Sequence, residues 1–218
     1  MEKNIIIIGS GVIAKALCEH ERVLGYVEPT SDLEIILDPK SAKQIGVVNR
    51  NVHYGVIGLG KVEYKEQSAR EWEEKGVQLS TLIFDQTYVS RSAQIGKGSV
   101  VLPFAYVDGK SQIGVCSYIG PNTNMISSTI GDYSHLAPGA RTFAGSIIGD
   151  RVFIGANSVI FPCVNVGSDS VIGAMTLVDR NIPKKTIYYR KQGPVVMQEN
   201  NGTHATTLLE HQSKRRAR

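Results

Sequence analysis

The stretch "IGDYSHLAPGARTFAGSIIGDRVFIGANSV", residues 130–159, decides the fold of this 218-residue chain. It returns to an aliphatic residue, often followed by Gly, at a spacing that suits neither an alternating strand nor a helical repeat. Set in a column, such residues fall six apart at Val89, Ile95, Val101, Val107, Ile113, Ile119 and Met125. The column resumes at Ile130 and runs through Leu136, Thr142, Ile148, Ile154, Ile160, Val166, Ile172 and Val178. Four places after most of these stands a small or β-branched residue: Ser99, Ala105, Ser111, Ser117, Thr123, Ser134, Ala140, Ser158, Ser170 and Thr176.

A period of six fits a solenoid of short flat strands in which three hexads make one triangular coil. The column residue is expected inside the prism and the small residue at the tighter inward position, with Gly commonly where the backbone turns a corner. No coil buries its apolar face alone, so stacking stabilises each one. This is the left-handed parallel β-helix pattern of hexapeptide repeats. One rung, "MISST" between Met125 and Ile130, holds five residues instead of six. It reads either as a tolerated surface irregularity or as the edge of a site.

Upstream the pattern changes to alternating strands and helices. "NIIIIGSG" reads as a buried strand ending in a glycine turn, "VIAKALCEH" as a helix, "RVLGYVE" and "LEIILD" as strands, and "VHYGVIG" as another. "KVEYKEQSAREWEEKG" reads as a charged helix closed by Gly76, and "STLIFD" as a final strand. Residues 1–86 are therefore expected to form a small Rossmann-like parallel α/β domain, 87–183 the β-helix, and 184–218 a partly disordered C-terminal extension. A short helix through "ATTLLEH" is the only element suggested in that tail.

Composition limits the function classes. The formal net charge of +4 equals the four basic residues of the terminal "SKRRAR", so the body is near neutral and offers no basic face for nucleic acid. Cys18, Cys116 and Cys163 are widely spaced and odd in number, which suggests three reduced thiols in or near the core and no metal spacing. The opening "IIIIG" is too short for a membrane span and has no leader-like pattern after it, so a cytoplasmic protein is expected.

The segments "IIIIGSG", "LGYVE", "YGVIGLG" and the hexads closing in "TLVDRNIP" together resemble the bacterial nucleotide-sugar acetyltransferases, typified by bacillosamine N-acetyltransferase and sialic acid O-acetyltransferase. The resemblance spans roughly residues 4–183. It implies a homotrimer whose N-terminal domain holds a nucleotide sugar and whose β-helix binds the co-substrate acetyl-CoA between subunits, with no tightly bound cofactor and no metal. Residue by residue it implies nucleotide-sugar contacts at Ser10, Gly11, Val12, Glu28, Pro29 and Gly58. It implies acetyl-CoA contacts at His135, Ala156 and Ala174. The family's usual general base, a His followed by an acidic residue, has no counterpart: its place falls at Ile126 or Ser127, inside the shortened rung.

The chemistry read from the residues is compatible with that resemblance. Backbone amides after Gly11 can hold a sugar-nucleotide phosphate, although a glycine turn required only for packing has the same sequence. His135 is the one histidine within the rungs and is expected to project outward near a corner. It then serves as a general base or as a donor to the thioester oxygen, or is plain solvated surface. Asp132 can orient it if the corner brings them together. Ser127 and Ser128 read as acceptor-binding or as turn residues, and Lys184 and Lys185, with Arg180, Arg190 and Lys191, as partners for the phosphates of CoA or as solvated charge. An amine with a pKa near neutrality is partly unprotonated and already nucleophilic, so the missing base favours N-acetylation of a UDP- or dTDP-4-amino-deoxyhexose type of sugar. The alternatives are sugar or sialic acid O-acetylation and a non-catalytic trimeric ligand-binding scaffold.

Overall fold

The computed structural model describes residues 5–9, 12–20, 22–27, 35–37, 44–47, 54–190 and 195–199. Ser10, Gly11, Glu28 and Pro29 lie outside these, as does the tail with its expected helix.

From Leu82 the chain winds into a parallel β-solenoid of stacked coils, each made of three two-residue strands. Successive coils pair in register eighteen residues apart, as in Val100 beside Tyr118 and His135 beside Phe153, and seventeen apart where the shortened rung lies between them, as in Tyr118 beside His135. One sheet contains Leu82–Ile83, Val100–Val101, Tyr118–Ile119, His135–Leu136, Phe153–Ile154, Val171–Ile172 and Thr186–Arg190. It faces the N-terminal region and is called here the domain-facing sheet. The second sheet runs from Tyr88–Val89 to Leu177–Val178, and the third from Gln94–Ile95 to Asn165–Val166. The column residues from Val101 to Val178 fill the interior, and all ten small residues at the fourth place are buried.

The hydroxyls of that inner column tie coils together. Ser99 Oγ donates to Gly114 O at 2.6 Å and accepts from Ser117 N at 3.0 Å; Ser117 and Ser134 repeat the motif one coil on. A buried hydroxyl costs little when so paired, which is why Ser is tolerated at an inward position.

The corner glycines have a different task from the one expected. Gly96, Gly114 and Gly131 have ordinary backbone angles; a Cβ on Gly96 would stand 2.6 Å from the Gly114 carbonyl carbon. They are needed because coils approach closely there. The left-handed turn falls two residues later, on Gly98 (φ 73°) and then on Cys116, Tyr133, Arg151 and Asp169.

Two sequence boundaries move. Leu82–Ile83, expected to close the α/β domain, pairs with Val100–Val101 as the first rung, so the solenoid begins before residue 87. At the other end Thr186–Arg190 extends the domain-facing sheet, and Val195–Glu199 folds back on it antiparallel.

The shortened rung keeps its strands, with Asn124–Met125 and Thr129–Ile130 in normal register. The missing residue is absorbed at Ser127, which turns left-handed at φ 47°. Asp108 on the coil below accepts from Ser127 N and Ser127 Oγ, both at 2.8 Å.

The N-terminal region is one sheet with two helices: β1 (Ile5–Ile8), α1 (Val12–Leu17), β2 (Val23–Val27), β3 (Ile35–Leu37), β4 (Gln44–Val47), β5 (Tyr54–Ile57), α2 (Val62–Glu74) and β6 (Gln78–Leu79). The strand order is β4-β3-β2-β1-β5-β6. Strands β2, β1, β5 and β6 are parallel, but β3 is antiparallel to both its neighbours. This corrects the all-parallel expectation: the connections 28–34 and 38–43 are shorter than the roughly dozen residues a parallel crossover requires. Helix α2 ends where Gly76, at φ 85°, follows its last turn, with Val77 N on Trp72 O at 3.0 Å.

Candidate active site

The outward side of the domain-facing sheet is covered. Leu82, Val100 and Leu102 pack with Ile5, Ile7, Leu17 and Val23 in one apolar cluster, so the two regions share a core. Helix α2 turns Lys65, Ala69 and Trp72 inward, at helical spacing. The first of these positions calls for an apolar residue and holds a lysine that is 1% exposed.

Lys65 lies beside Tyr118 and His135 on the sheet below. Its Nζ donates to Ser134 O at 3.4 Å and stands 5.8 Å from the centre of the Tyr118 ring. The His135 ring stacks on Tyr118 at 4.3 Å between centroids and tilts against Phe153 at 5.0 Å. His135 does project outward as its hexad position requires, but α2 roofs it over and leaves it 4% exposed, not at a solvated corner. Its Nδ1 is sealed without a partner among the described residues. Burial, and then the Lys65 cation, hold the imidazole well below the usual histidine range. Burial also draws Lys65 down to about 8, and pushes the Tyr118 phenol and the nearby Cys116 thiol up to about 12.

Asp132 does not orient His135: its Oδ1 accepts from Val115 N at 2.7 Å in the corner ladder. Cys116 and Cys163 both sit at left-handed corners, but Cys116 is buried in the cluster with Ala69, Trp72 and Leu79 while Cys163 is exposed; Cys18 is half-buried.

The other expected site residues separate by corner. Ala156 and Ala174 stand one coil apart at the corner that follows the domain-facing sheet, linked by Met175 N to Ala156 O at 2.8 Å. The His135 strand leads into this same corner through Ala137 and Pro138, where Asn157 N meets Pro138 O at 3.0 Å. His135, Ala156 and Ala174 thus share one edge of the solenoid. Lys184 and Lys185 are exposed at a different corner, where Lys185 N meets Ser168 O. Arg180 is held by Asp179 at 2.9 Å.

Ser127 and Ser128 occupy the remaining corner, between the second and third sheets. Ser128 is buried with its hydroxyl 2.6 Å from Thr142 Oγ1, and Ser127 is bound by Asp108. Both hold the shortened rung. Upward pressure from burial is outweighed by hydrogen bonds from Ser111, Ser127 and Lys110, which keep the Asp108 carboxyl at about 2.

In the N-terminal sheet the chain leaves β1 toward α1 and β5 toward α2, and β1 has β2 on one side and β5 on the other. That reversal of strand order makes the carboxyl ends of β1 and β5 a topological switch point, the usual ligand position in open α/β sheets. Gly9 and Gly58 meet there: Gly58 N donates to Ile8 O at 3.0 Å, and a Cβ on Gly58 would stand 2.5 Å from Ile7 Cγ2 and 3.0 Å from Ala14. Packing alone accounts for glycine at position 58. Val12 begins α1 at the same end.

Lys65 was not legible as a site residue. Its only sequence signal is a lysine on the apolar stripe of α2, and "charged helix" absorbed it. Among the described residues no group of three or more His, Cys, Asp or Glu is placed to hold a metal, and no helix is long and apolar enough to cross a membrane.

Residues 146–180 match a family model described as the hexapeptide repeat of succinyl-transferase. The bifunctional protein GlmU of Methanococcus vannielii is 31% identical over 134 residues, covering 56% of this chain and 32% of that protein. GlmU of Halalkalibacterium halodurans is 33% identical over 127 residues, covering 57% and 27%. The chain thus spans about a third of the length of the curated relatives it matches. Solved structures overlap far more of it. A variant of perosamine N-acetyltransferase from Caulobacter crescentus, in complex with CoA and GDP-perosamine, superposes with a TM-score of 0.75 at 23% identity, covering 89% of this chain and 96% of that one. The acetyltransferase domain of PglB from Neisseria gonorrhoeae, in complex with acetyl coenzyme A, gives 0.79 at 20% identity, covering 91% and 100%. The overlap extends beyond the solenoid into the N-terminal region, and the chain therefore shares the fold of these two proteins.

Proposed function

We propose that the protein is an acyl-CoA-dependent N-acetyltransferase that moves an acetyl group from acetyl-CoA to the amino group of a nucleotide-linked amino sugar. The observation that carries this reading is the overlap, over about nine tenths of the chain, with an N-acetyltransferase held in complex with both CoA and GDP-perosamine. In this reading the N-terminal region is a Rossmann-like nucleotide-sugar domain, and the carboxyl ends of β1 and β5, beside Val12 and Gly58, receive the nucleotide. The edge formed by His135, Ala156 and Ala174 receives acetyl-CoA, completed by a neighbouring subunit of a cytoplasmic homotrimer with left-handed coils. Surface glycan biosynthesis is the setting such a product suits.

The amine attacks the thioester carbonyl carbon, the C–S bond breaks, and CoA leaves as thiolate while the nitrogen loses a proton. A donor placed at the carbonyl oxygen stabilises the charge that develops there. Incubating the protein with acetyl-CoA and a panel of UDP-, dTDP- and GDP-linked amino sugars, and following thiol release, tests the reading. Release only with a sialic acid or another acceptor that offers hydroxyls and no free amine would favour O-acetylation, and no release with any acceptor, despite binding, would favour a scaffold.

A further inference from the structure

Helix α2 does more than cover the domain-facing sheet. It begins at Val62, four residues after Gly58 at the end of β5, and one turn later places an ammonium in the roof over His135. The same short segment connects the carboxyl ends of β1 and β5 to the only histidine among the solenoid rungs.

The surroundings of that imidazole are specific. From α2 the charged group facing it is Lys65; the adjacent Glu66 is taken by Arg70 at 2.6 Å and Arg151 at 3.3 Å. From the solenoid it meets Tyr118 and Phe153, with the Cys116 thiol nearby; at neutral pH none of these carries charge. No carboxylate among the described residues reaches the ring to support an imidazolium, and Asp132 is committed to Val115 N. A proton on Nδ1 would be a buried N–H without an acceptor, which proteins seldom leave orphaned. A second N–H on the ring would also add positive charge within the field of the Lys65 ammonium.

We propose that Lys65 is the positioning residue for His135: its ammonium, resting on the Ser134 carbonyl beside the ring, and the sealed setting of Nδ1 hold the imidazole as the uncharged Nε2–H form. His135 in that form offers a hydrogen-bond donor at Nε2. With Nδ1 sealed, it has no free nitrogen with which to act as a base. The consequence for catalysis rests on the acetyltransferase reading: the histidine polarises the thioester carbonyl, and the acceptor amine arrives already unprotonated. The state of the ring itself does not rest on that reading.

The test uses the whole chain labelled with ¹⁵N-histidine and long-range ¹H–¹⁵N correlation spectra, without CoA or sugar, with the His135 signals assigned by their loss in His135→Gln. The expected spectrum is that of a neutral ring protonated at Nε2, unchanged from about pH 8 down past the ordinary histidine value of roughly 6.5. Lys65→Met is expected to raise the His135 midpoint by on the order of one unit, and Lys65→Arg, which keeps the cation, to leave it in place. A proton on Nδ1, an imidazolium near neutrality, or a midpoint unmoved in Lys65→Met overturns the proposal. Should Lys65→Met fail to fold, the wild-type spectrum alone decides the tautomer, and Lys65→Gln supplies the charge removal. A second readout is the pH profile of acetyl transfer: an acid limb set by His135 is expected in Lys65→Met and not in wild type. Absence of any transfer would sink the proposed function and leave the spectra, and with them this inference, standing or falling separately.

Discussion

Replacing Lys65 by Met should make the protein more stable at neutral pH. Burial lowers the lysine from 10.5 to about 8, so below pH 8 the folded state carries the full cost of keeping an ammonium out of water. A shift of about 2.5 units corresponds to about 3 kcal/mol. Met fills the same volume without the charge. Its loss of the 3.4 Å bond to Ser134 O offsets about 1 kcal/mol, and that oxygen keeps its partner Tyr118 N at 2.9 Å. The expected net gain at pH 7 is about 2 kcal/mol, or about 4–8 °C in Tm for a chain of this size. The sign with pH is fixed: the folded-state value lies below the unfolded one, so wild-type stability rises between about 8 and 10.5 as the lysine sheds its proton, and the advantage of Met disappears by the top of that window. Urea unfolding of both proteins at pH 7, 8, 9.5 and 10.5, values chosen from those two limits, measures it. Equal stability at pH 7, or a difference that stays constant up to pH 10.5, would refute the argument that the ammonium is sealed under α2.

His135→Asn keeps a donor and should retain more transfer activity than His135→Ala; equal losses of about 10²–10⁴-fold in steady-state rate would instead identify a general base. Asp108→Ala removes four hydrogen bonds around the shortened rung and should cost about 1–2 kcal/mol after allowance for its partial exposure. Because the Asp108 carboxyl is held at about 2, its stabilisation in wild type is complete above pH 4 and fades as pH falls toward 2, which acid unfolding followed by circular dichroism can read. Gly131→Ala would drive a methyl into the Asp150 carboxylate and to 2.7 Å from the Gly149 carbonyl carbon, and should destabilise the coil stack by about 2 kcal/mol or more, seen as a lower Tm.

The solenoid was legible because six-residue periodicity fixes both the inward column and the eighteen-residue register, and the one missing residue between Met125 and Ile130 only shortens the step to seventeen for the coil pairs that span it while the inward column is kept. The N-terminal sheet was less so. Single strands such as β2 and β3 carry no mark of their partners, and only the short connection between them shows that they run antiparallel. Leu82–Ile83 misled for a related reason, since a two-residue apolar pair looks the same on either sheet. At the candidate site the sequence named His135 and could place it outward, but the roof over it comes from a helix seventy residues earlier, and no local pattern ties Lys65 to Ser134. Ser127 and Ser128 illustrate the reverse case. Their polarity suggested a ligand, and Asp108 and Thr142 satisfy them within the fold.

The hairpin formed by Thr186–Arg190 and Val195–Glu199 bears on how the protein behaves in a crowded solution. A stack of parallel coils has no intrinsic last layer, and its open strand edge is a template for the coils of another molecule. By reversing direction at the end of the domain-facing sheet, the chain presents any newcomer with a strand of the wrong polarity on that face, so end-to-end growth into fibres is opposed by a handful of backbone residues.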